Sequence, residues 1–278
     1  MNRWKLLPRI DNVSKYVECY WFLEKQPHDQ IIIYPKLNPN PSSHLIISDL
    51  NRSHEYKYSS TSQKVIGSHW IYPHLKTFTM DHAGSFKIIG IKFRIGALYS
   101  LNLRNLSSYI DNIQRVDTNS IFGSESFNTN QLLINASKEG KKVCNMLDET
   151  LFPWLLDCHE DKHSDLVRQI LPLLKDTPIT QIGEKLHRSQ RTTERSFKRV
   201  TGLSMKQVQS MNRIEEVLNY LYQLGGRDIN WADVASKYDF SDQPHLIRHL
   251  KGSIGSTPSD YEQRRDLTID IYGDFESK

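Results

Sequence analysis

The residues best equipped for chemistry are few. His159-Glu160-Asp161-Lys162-His163 has the spacing H-E-x-x-H, in which two imidazoles one helical turn apart would hold zinc and Glu160 would act on bound water. No third ligand follows at a matching distance, and the charged neighbourhood reads as a solvated linker. His69, His74 and His82 lack the paired H-x-H spacing of a metal-binding barrel, so structural or surface histidines are expected there. Cys19, Cys144 and Cys158 are scattered and odd in number, which predicts neither a disulfide framework nor a cysteine-rich zinc site. No carboxylate pair, nucleophile triad or phosphate loop stands out. The reading is therefore a non-enzyme without metal or cofactor, with a barrel enzyme as the remote alternative.

A second kind of chemistry is repeated. Ile179, Ile182, Gly183 and Leu186 sit at i, i+3, i+4 and i+7, and Trp231, Val234, Ala235 and Tyr238 do the same. A polar turn follows each, holding the N-cap types Ser189 and Ser241-Asp242. The next helix packs through Thr193, Phe197 and Val200 in one copy and through Leu246 and Leu250 in the other. Gly202 and Gly255 suit the helix C-termini. The second turn is longer by one residue. Short helix, tight turn and second helix with a polar outer face is the helix-turn-helix plan. Its outer faces carry Arg191, Arg195 and Lys198 in the first copy, and Gln243, Pro244, His245, Arg248 and Lys251 in the second. Arginine can pair in bidentate fashion with guanine, while lysines and helix N-termini can hold phosphates. Between the copies, Lys206 to Tyr222 has the period of a long helix, which would space two recognition helices for successive major grooves, roughly 34 Å apart.

The segment from about Ile179 to Tyr261 resembles the AraC/XylS family of transcription activators. The resemblance is carried by Ser189-Gln190-Arg191-Thr192-Thr193-Glu194-Arg195-Ser196-Phe197-Lys198, by Asp239 to Lys251, and by Ile254-Gly255-Ser256-Thr257-Pro258-Ser259-Asp260-Tyr261. It implies a seven-helix DNA-binding domain with base-reading positions on Arg191, Thr192, Glu194 and Arg195, then Gln243, His245 and Arg248, with Gln190, Lys198 and Lys251 as further DNA-binding residues beside them. Thr193 stands where the family has Leu, which would weaken the first unit's core. Asp239 replaces a turn Gly, Leu250 replaces Phe, and Pro244 replaces a small polar residue. The N-terminal half resembles an uncharacterised domain fused to such regulators, through Tyr16-Val17-Glu18-Cys19-Tyr20-Trp21, Val65-Ile66-Gly67 and Gly90 to Leu98, with Ile95 in place of a Pro. That resemblance implies a degenerate cupin-like sensor.

The elements that must position these residues are legible from pattern. The chain has 278 residues, enough for two domains, with 38% hydrophobic residues and a net charge of +4 that is compatible with an acidic partner. Strands are expected at Tyr16–Leu23, Ile31–Tyr34, His44–Ser48 and Lys87–Arg94, and a short helix at Leu98, Leu101 and Leu103. A helical stripe from Val143 to Leu155 is expected to pack on the β domain or to form a dimer, with Pro153 bending or ending it. A helix from Ser164 to Lys175 follows.

The expected class is α+β: a mainly-β, cupin-like barrel sensor at 1–130, a connecting helical region at 131–170, tandem helix-turn-helix units joined by a long helix at 171–265, and a tail at 266–278. Tyr16, Tyr20, Trp21 and Phe22 are the candidates to line a sensor pocket, or else core. The expected function is a DNA-binding regulator, an activator acting as a homodimer on double-stranded DNA with RNA polymerase and a small-molecule effector. The alternative is control by a protein partner or by abundance. The N-terminus lacks a signal-peptide pattern and no membrane span is expected, so the cytoplasm is the expected location. The first unit is expected to supply more base-specific contact and the second more anchoring.

Overall fold

The structure is a computed structural model and describes residues 1–29, 33–102, 108–123, 128–224 and 229–272. The N-terminal half is built on two antiparallel sheets. The larger has the order β1 (Asn2–Leu6), β2 (Val17–Lys25), β9 (Phe86–Phe93), β4 (His44–Ser48), β7 (His69–Ile71), β10 (Ile113–Arg115). The smaller has the order β3 (Lys36–Leu37), β8 (Phe78–Met80), β5 (Ser53–Tyr58), β6 (Thr61–Ile66).

Side chains alternate across a strand, so β2, β4 and β9 present two faces. One carries Tyr20, Phe22, Leu45, Ile47, Ile89, Ile91 and Phe93, and it is covered by α4 (Thr129–Ala136) and α5 (Gly140–Leu156) through Leu132, Leu133, Val143, Leu147, Leu151 and Leu155. The other carries Leu23, Ile46 and Ile88, which meet Tyr56, Val65, Phe78 and Met80 of the smaller sheet. With both faces covered, the central strands read as unbroken apolar runs. The apolar stripe of α5 is thus spent within the chain. Pro153 does not end this helix, which continues to Leu156.

The expected strands at 16–23, 44–48 and 87–94 match β2, β4 and β9 to within two residues. Ile33 and Tyr34 form a bend instead of the expected strand, and Ile31 lies outside the described residues. Short helices flank the sheets: α1 (Asp11–Ser14), α2 (Ala97–Ser100), where a helix is expected, and α3 (Thr118–Phe122); Leu103 too lies outside the described residues.

The second half is helical: α6 (Lys162–Leu173), α7 (Ile179–Lys185), α8 (Gln190–Thr201), α9 (Met205–Leu224), α10 (Trp231–Lys237), α11 (Gln243–Ile254), α12 (Pro258–Arg264) and α13 (Thr268–Tyr272). The chain is therefore of mixed α+β class. Two cores divide these helices. Leu166, Val167, Ile170, Ile182, Phe197 and Val200 form the first with Val208 and Met211 of α9. Val234, Phe240, Leu246, Leu250, Ile254 and Tyr261 form the second with Ile214, Val217, Leu218 and Leu221 of the same helix. One continuous stripe on α9 serves both units. Among the described residues no helix is long and apolar enough to cross a membrane.

Candidate DNA-binding face and interdomain cavity

The two units use the same turn. After α7 the Arg188 amide donates to the Gly183 carbonyl (2.8 Å), and after α10 the Phe240 amide donates to the Ala235 carbonyl (2.9 Å). These six-to-one bonds close a Schellman turn, whose next-to-last residue must be left-handed. That residue is His187 (φ 52°) in the first unit and Asp239 (φ 56°) in the second. A side chain at Gly183 would meet the Arg188 carbonyl at 2.8 Å, which explains why a small residue stands where α8 approaches. Ser189 then caps α8 by accepting from the Thr192 amide, and Asp242 caps α11 by accepting from the His245 amide.

These caps fix which faces look outward. Arg191, Glu194, Arg195 and Lys198 are exposed on α8, as are Gln243, Arg248 and Lys251 on α11. Gln190 and Thr192 are half-buried; Gln190 donates to Glu194 (2.8 Å). The Lys198 ammonium donates to the Gly202 carbonyl and so supports the end of its own helix. His245 is half-buried, bonded through Nδ1 to the Ser241 hydroxyl (3.1 Å) and set edge-on to Phe240. Thr193 is fully buried and its hydroxyl donates to the Gln190 carbonyl (2.7 Å). Its hydroxyl is therefore satisfied within its own helix, although Thr193 fills less of the core than Leu would.

Both units touch the β domain. Arg199 on α8 donates to the Tyr99 hydroxyl (3.0 Å), which donates to Asp161 (2.8 Å). Gly96 lies so close to α8 that a side chain there would meet Val200 at 2.9 Å. The H-E-x-x-H segment belongs to this junction. Asp161 caps α6, His159 precedes that helix, and Glu160 pairs with Arg168 (2.7 Å) and Lys15 (3.5 Å). His159 and His163 therefore do not share a helical face, and the segment is docked, not a solvated linker. Burial opposes the charge on Glu160, but bonds from Tyr16, Ser164 and Arg168 outweigh it and lower its pKa to about 2. On the second unit, the Lys36 ammonium pairs with Asp266 (2.8 Å) and Thr77 donates to the Ser253 carbonyl.

Between the sheets, and roofed by α9 and α13, lies a cavity of about 210 Å³. Its walls include Trp21, His44, His54 and His82 from the β domain, with Glu215 and Asn219 from α9. Trp21 lies across Gly90 of the neighbouring strand, where any side chain would collide with its ring. The Trp21 indole N–H donates to His44 Nδ1 (3.3 Å), and His44 Nε2 has no partner among the described residues. Burial lowers the pKa of His54 to about 2, of His82 to about 3 and of His69 to about 4, so all three are neutral. His69 Nδ1 meets the Gly67 carbonyl (2.8 Å), which leaves its Nε2 to accept from the Tyr56 hydroxyl (2.6 Å).

Of the four aromatics expected to line a pocket, only Trp21 does so. Strand alternation turns Tyr20 and Phe22 to the opposite face, where Tyr20 donates to the buried Asp148 (2.7 Å), and Tyr16 packs in the same α5-covered core. The other lining residues come from separated strands and from two C-terminal helices. Strand alternation around His44 and Gly90 was the one local signal that could have found part of them.

Two family models match this chain: a helix-turn-helix domain over residues 182–264 and a domain of unknown function over residues 8–115. The chain thus carries a helix-turn-helix domain, as DNA-binding transcription regulators do, joined to an N-terminal domain whose role its family does not define. Solved structures similar to it include ToxT from Vibrio cholerae with an unsaturated fatty acid bound, at 11% identity over 99% of this chain and 96% of that one, TM-score 0.43. ToxT bound to (E)-4-(8-methylnaphthalen-1-yl)but-3-enoic acid is similar at 10% identity over 94% and 97%, TM-score 0.42. The AraC-like transcriptional activator CuxR follows at 11% over 78% and 86%, TM-score 0.28. None of the curated proteins matches.

Proposed function

We propose that this protein is a sequence-specific transcription activator of the cytoplasm, acting as a homodimer with RNA polymerase, whose two helix-turn-helix units are governed by the β domain. The observation that carries the reading is the pair of capped helices α8 and α11, each with an exposed arginine face, seated on the single helix α9. A rigid helix between them favours simultaneous insertion into successive major grooves. Arg191, Arg195 and Arg248 read bases. Thr192, Glu194, Gln243 and His245 complete the reading surfaces, while Lys251 and the helix N-termini hold phosphates. The first unit supplies more of the specificity and the second more of the anchoring.

The cavity favours a small-molecule effector over control by a protein partner. It is half-enclosed, largely apolar with a few convergent polar groups, and walled by both halves of the chain, as an effector site that must change their relation would be. Selection of bound DNA from a random pool tests the reading. A single enriched motif is expected, and binding that is only non-specific and salt-sensitive in every condition would refute it.

A further inference from the structure

The segment after α12 does something that neither matched domain requires. Arg265 turns the chain in the left-handed conformation (φ 43°), and Asp266 and Leu267 then run beside β3. The Lys36 amide donates to the Asp266 carbonyl (2.8 Å), in addition to the ion pair between their side chains. Leu267 fills the core of the second helix-turn-helix unit, and Tyr272 fills the core between the two sheets. The Tyr272 ring is 1% exposed, its hydroxyl is bonded to His82 Nδ1, and the two ring centroids are 5.7 Å apart. Seven residues fasten the DNA-binding half to the sandwich by one hydroxylated ring.

That ring reports the chemistry the sandwich interior accepts. Its apolar edge is taken by the cluster of Leu23, Ile46, Met80 and Phe86. Its hydroxyl is met by a neutral imidazole, which can donate to or accept from an O–H. The empty 210 Å³ adjoins both Tyr272 and His82. It exceeds the roughly 150 Å³ that accommodates benzene in an apolar protein cavity, so a free single ring can enter next to Tyr272, where it must contend with that residue for His82.

We propose that the sandwich interior is a binding site for a small phenol, and that Tyr272 is its tethered competitor. A free phenol that takes over His82 displaces residues 266–272 and so loosens the second helix-turn-helix unit from the β domain, leaving it the Thr77–Ser253 contact. This inference rests on the reading of the cavity as an effector site and names the ligand class. Tethering gives Tyr272 a high effective concentration, so a free phenol binds the intact chain more weakly than a chain lacking the ring.

The probe is 4-methylphenol, which is the tyrosine side chain itself, with 1,4-dimethylbenzene as the same shape without the hydroxyl. In full-length Tyr272→Gly, 4-methylphenol binds saturably and raises the melting temperature, about tenfold more tightly than it binds the unsubstituted chain. The dimethylbenzene binds less well, and His82→Phe removes the difference between the two. In the unsubstituted chain, saturation with 4-methylphenol speeds amide hydrogen exchange in Thr268–Tyr272 and leaves α8 unchanged. Failure of Tyr272→Gly to bind the phenol, equal binding of both probes, or unchanged exchange at 268–272 under saturation would each overturn the proposal. If Tyr272→Gly does not fold, exchange in the unsubstituted chain decides alone. DNA affinity measured in parallel separates the two readings. Exchange that rises while DNA affinity stays flat refutes the effector role and supports the phenol site. A phenol that neither binds nor alters exchange refutes the phenol site and leaves the effector role to another ligand.

Discussion

His187 and Asp239 hold the same left-handed backbone at the same step of two successive helix-turn-helix units, and neither is a glycine. Each follows a helix whose last turn is closed by a bond from the next residue's amide, Arg188 to Gly183 and Phe240 to Ala235. A β-carbon in this region costs about 1–2 kcal/mol, less for Asp, whose short polar side chain tolerates it.

Glycine at position 187 should therefore stabilise the chain. Relief of the backbone conflict exceeds the added freedom of the unfolded chain, for a net gain of up to about 1 kcal/mol, with a smaller gain for Asp239→Gly. Urea unfolding of His187→Gly measures this directly. A loss of stability would mean that the His187 side chain contributes more than its backbone costs.

Three cations on the reading faces should separate by what they already hold. Arg195→Ala and Arg248→Ala each weaken binding to a selected operator by about 1–3 kcal/mol. Lys198→Ala weakens it less, because that ammonium is bonded to the Gly202 carbonyl at the end of α8. Titration on operator and on random DNA checks the assignment, since equal losses on both would make the arginines phosphate contacts.

The cavity wall can be tested without touching the helices. The β-carbon of Gly90→Ala would lie 1.9 Å from Trp21 Cε2, so the indole must leave the sheet and its bond to His44. Overpacking of this kind costs about 1–3 kcal/mol. A thermal melt lower than that of the parent chain, with altered tryptophan fluorescence, is expected. An unchanged melt and spectrum would place Trp21 elsewhere.

The buried neutral histidines set the response to acid. Burial depresses the folded pKa of His54 to about 2, of His82 to about 3 and of His69 to about 4, against 6.5 for the free group. Below pH 6.5 the unfolded chain takes up protons that the folded sandwich refuses. Their contribution is thus fully present above that pH and is lost as pH falls towards the folded values. The slope is on the order of 1.4 kcal/mol per pH unit for each histidine. Urea unfolding at pH 7.5 and 5.5 measures it, and equal stability at both would show that these rings are accessible to protons in the folded chain.

The helical half was the more legible because its signals are local. Ile179 to Leu186 and Trp231 to Tyr238 announce their faces within one turn of helix, and Ser189 and Asp242 announce the caps. The sandwich was half legible. Strands such as β2 and β9, apolar on both faces, stand out, whereas the hairpin of Ser53–Tyr58 and Thr61–Ile66 is mostly polar and its partner strands are distant in sequence. The cavity was the least legible, because His44, His82, Glu215 and Tyr272 meet only after the two halves dock. Tyr272 in particular lay in what composition marks as a tail, and its burial depends on a path along Lys36 that no local pattern encodes.

The central claim is that α8 and α11 read two separate groups of base pairs from one scaffold. Affinity for a selected operator, with each half scrambled in turn, tests it most directly in the parent chain and in Arg195→Ala and Arg248→Ala. Two half-sites about one helical turn apart are expected. Scrambling the half read by α8 should cost the parent chain affinity and cost Arg195→Ala little more, with the same relation between α11 and Arg248→Ala. A single half-site, or arginine losses that ignore which half is scrambled, would contradict a division of reading between the two helices.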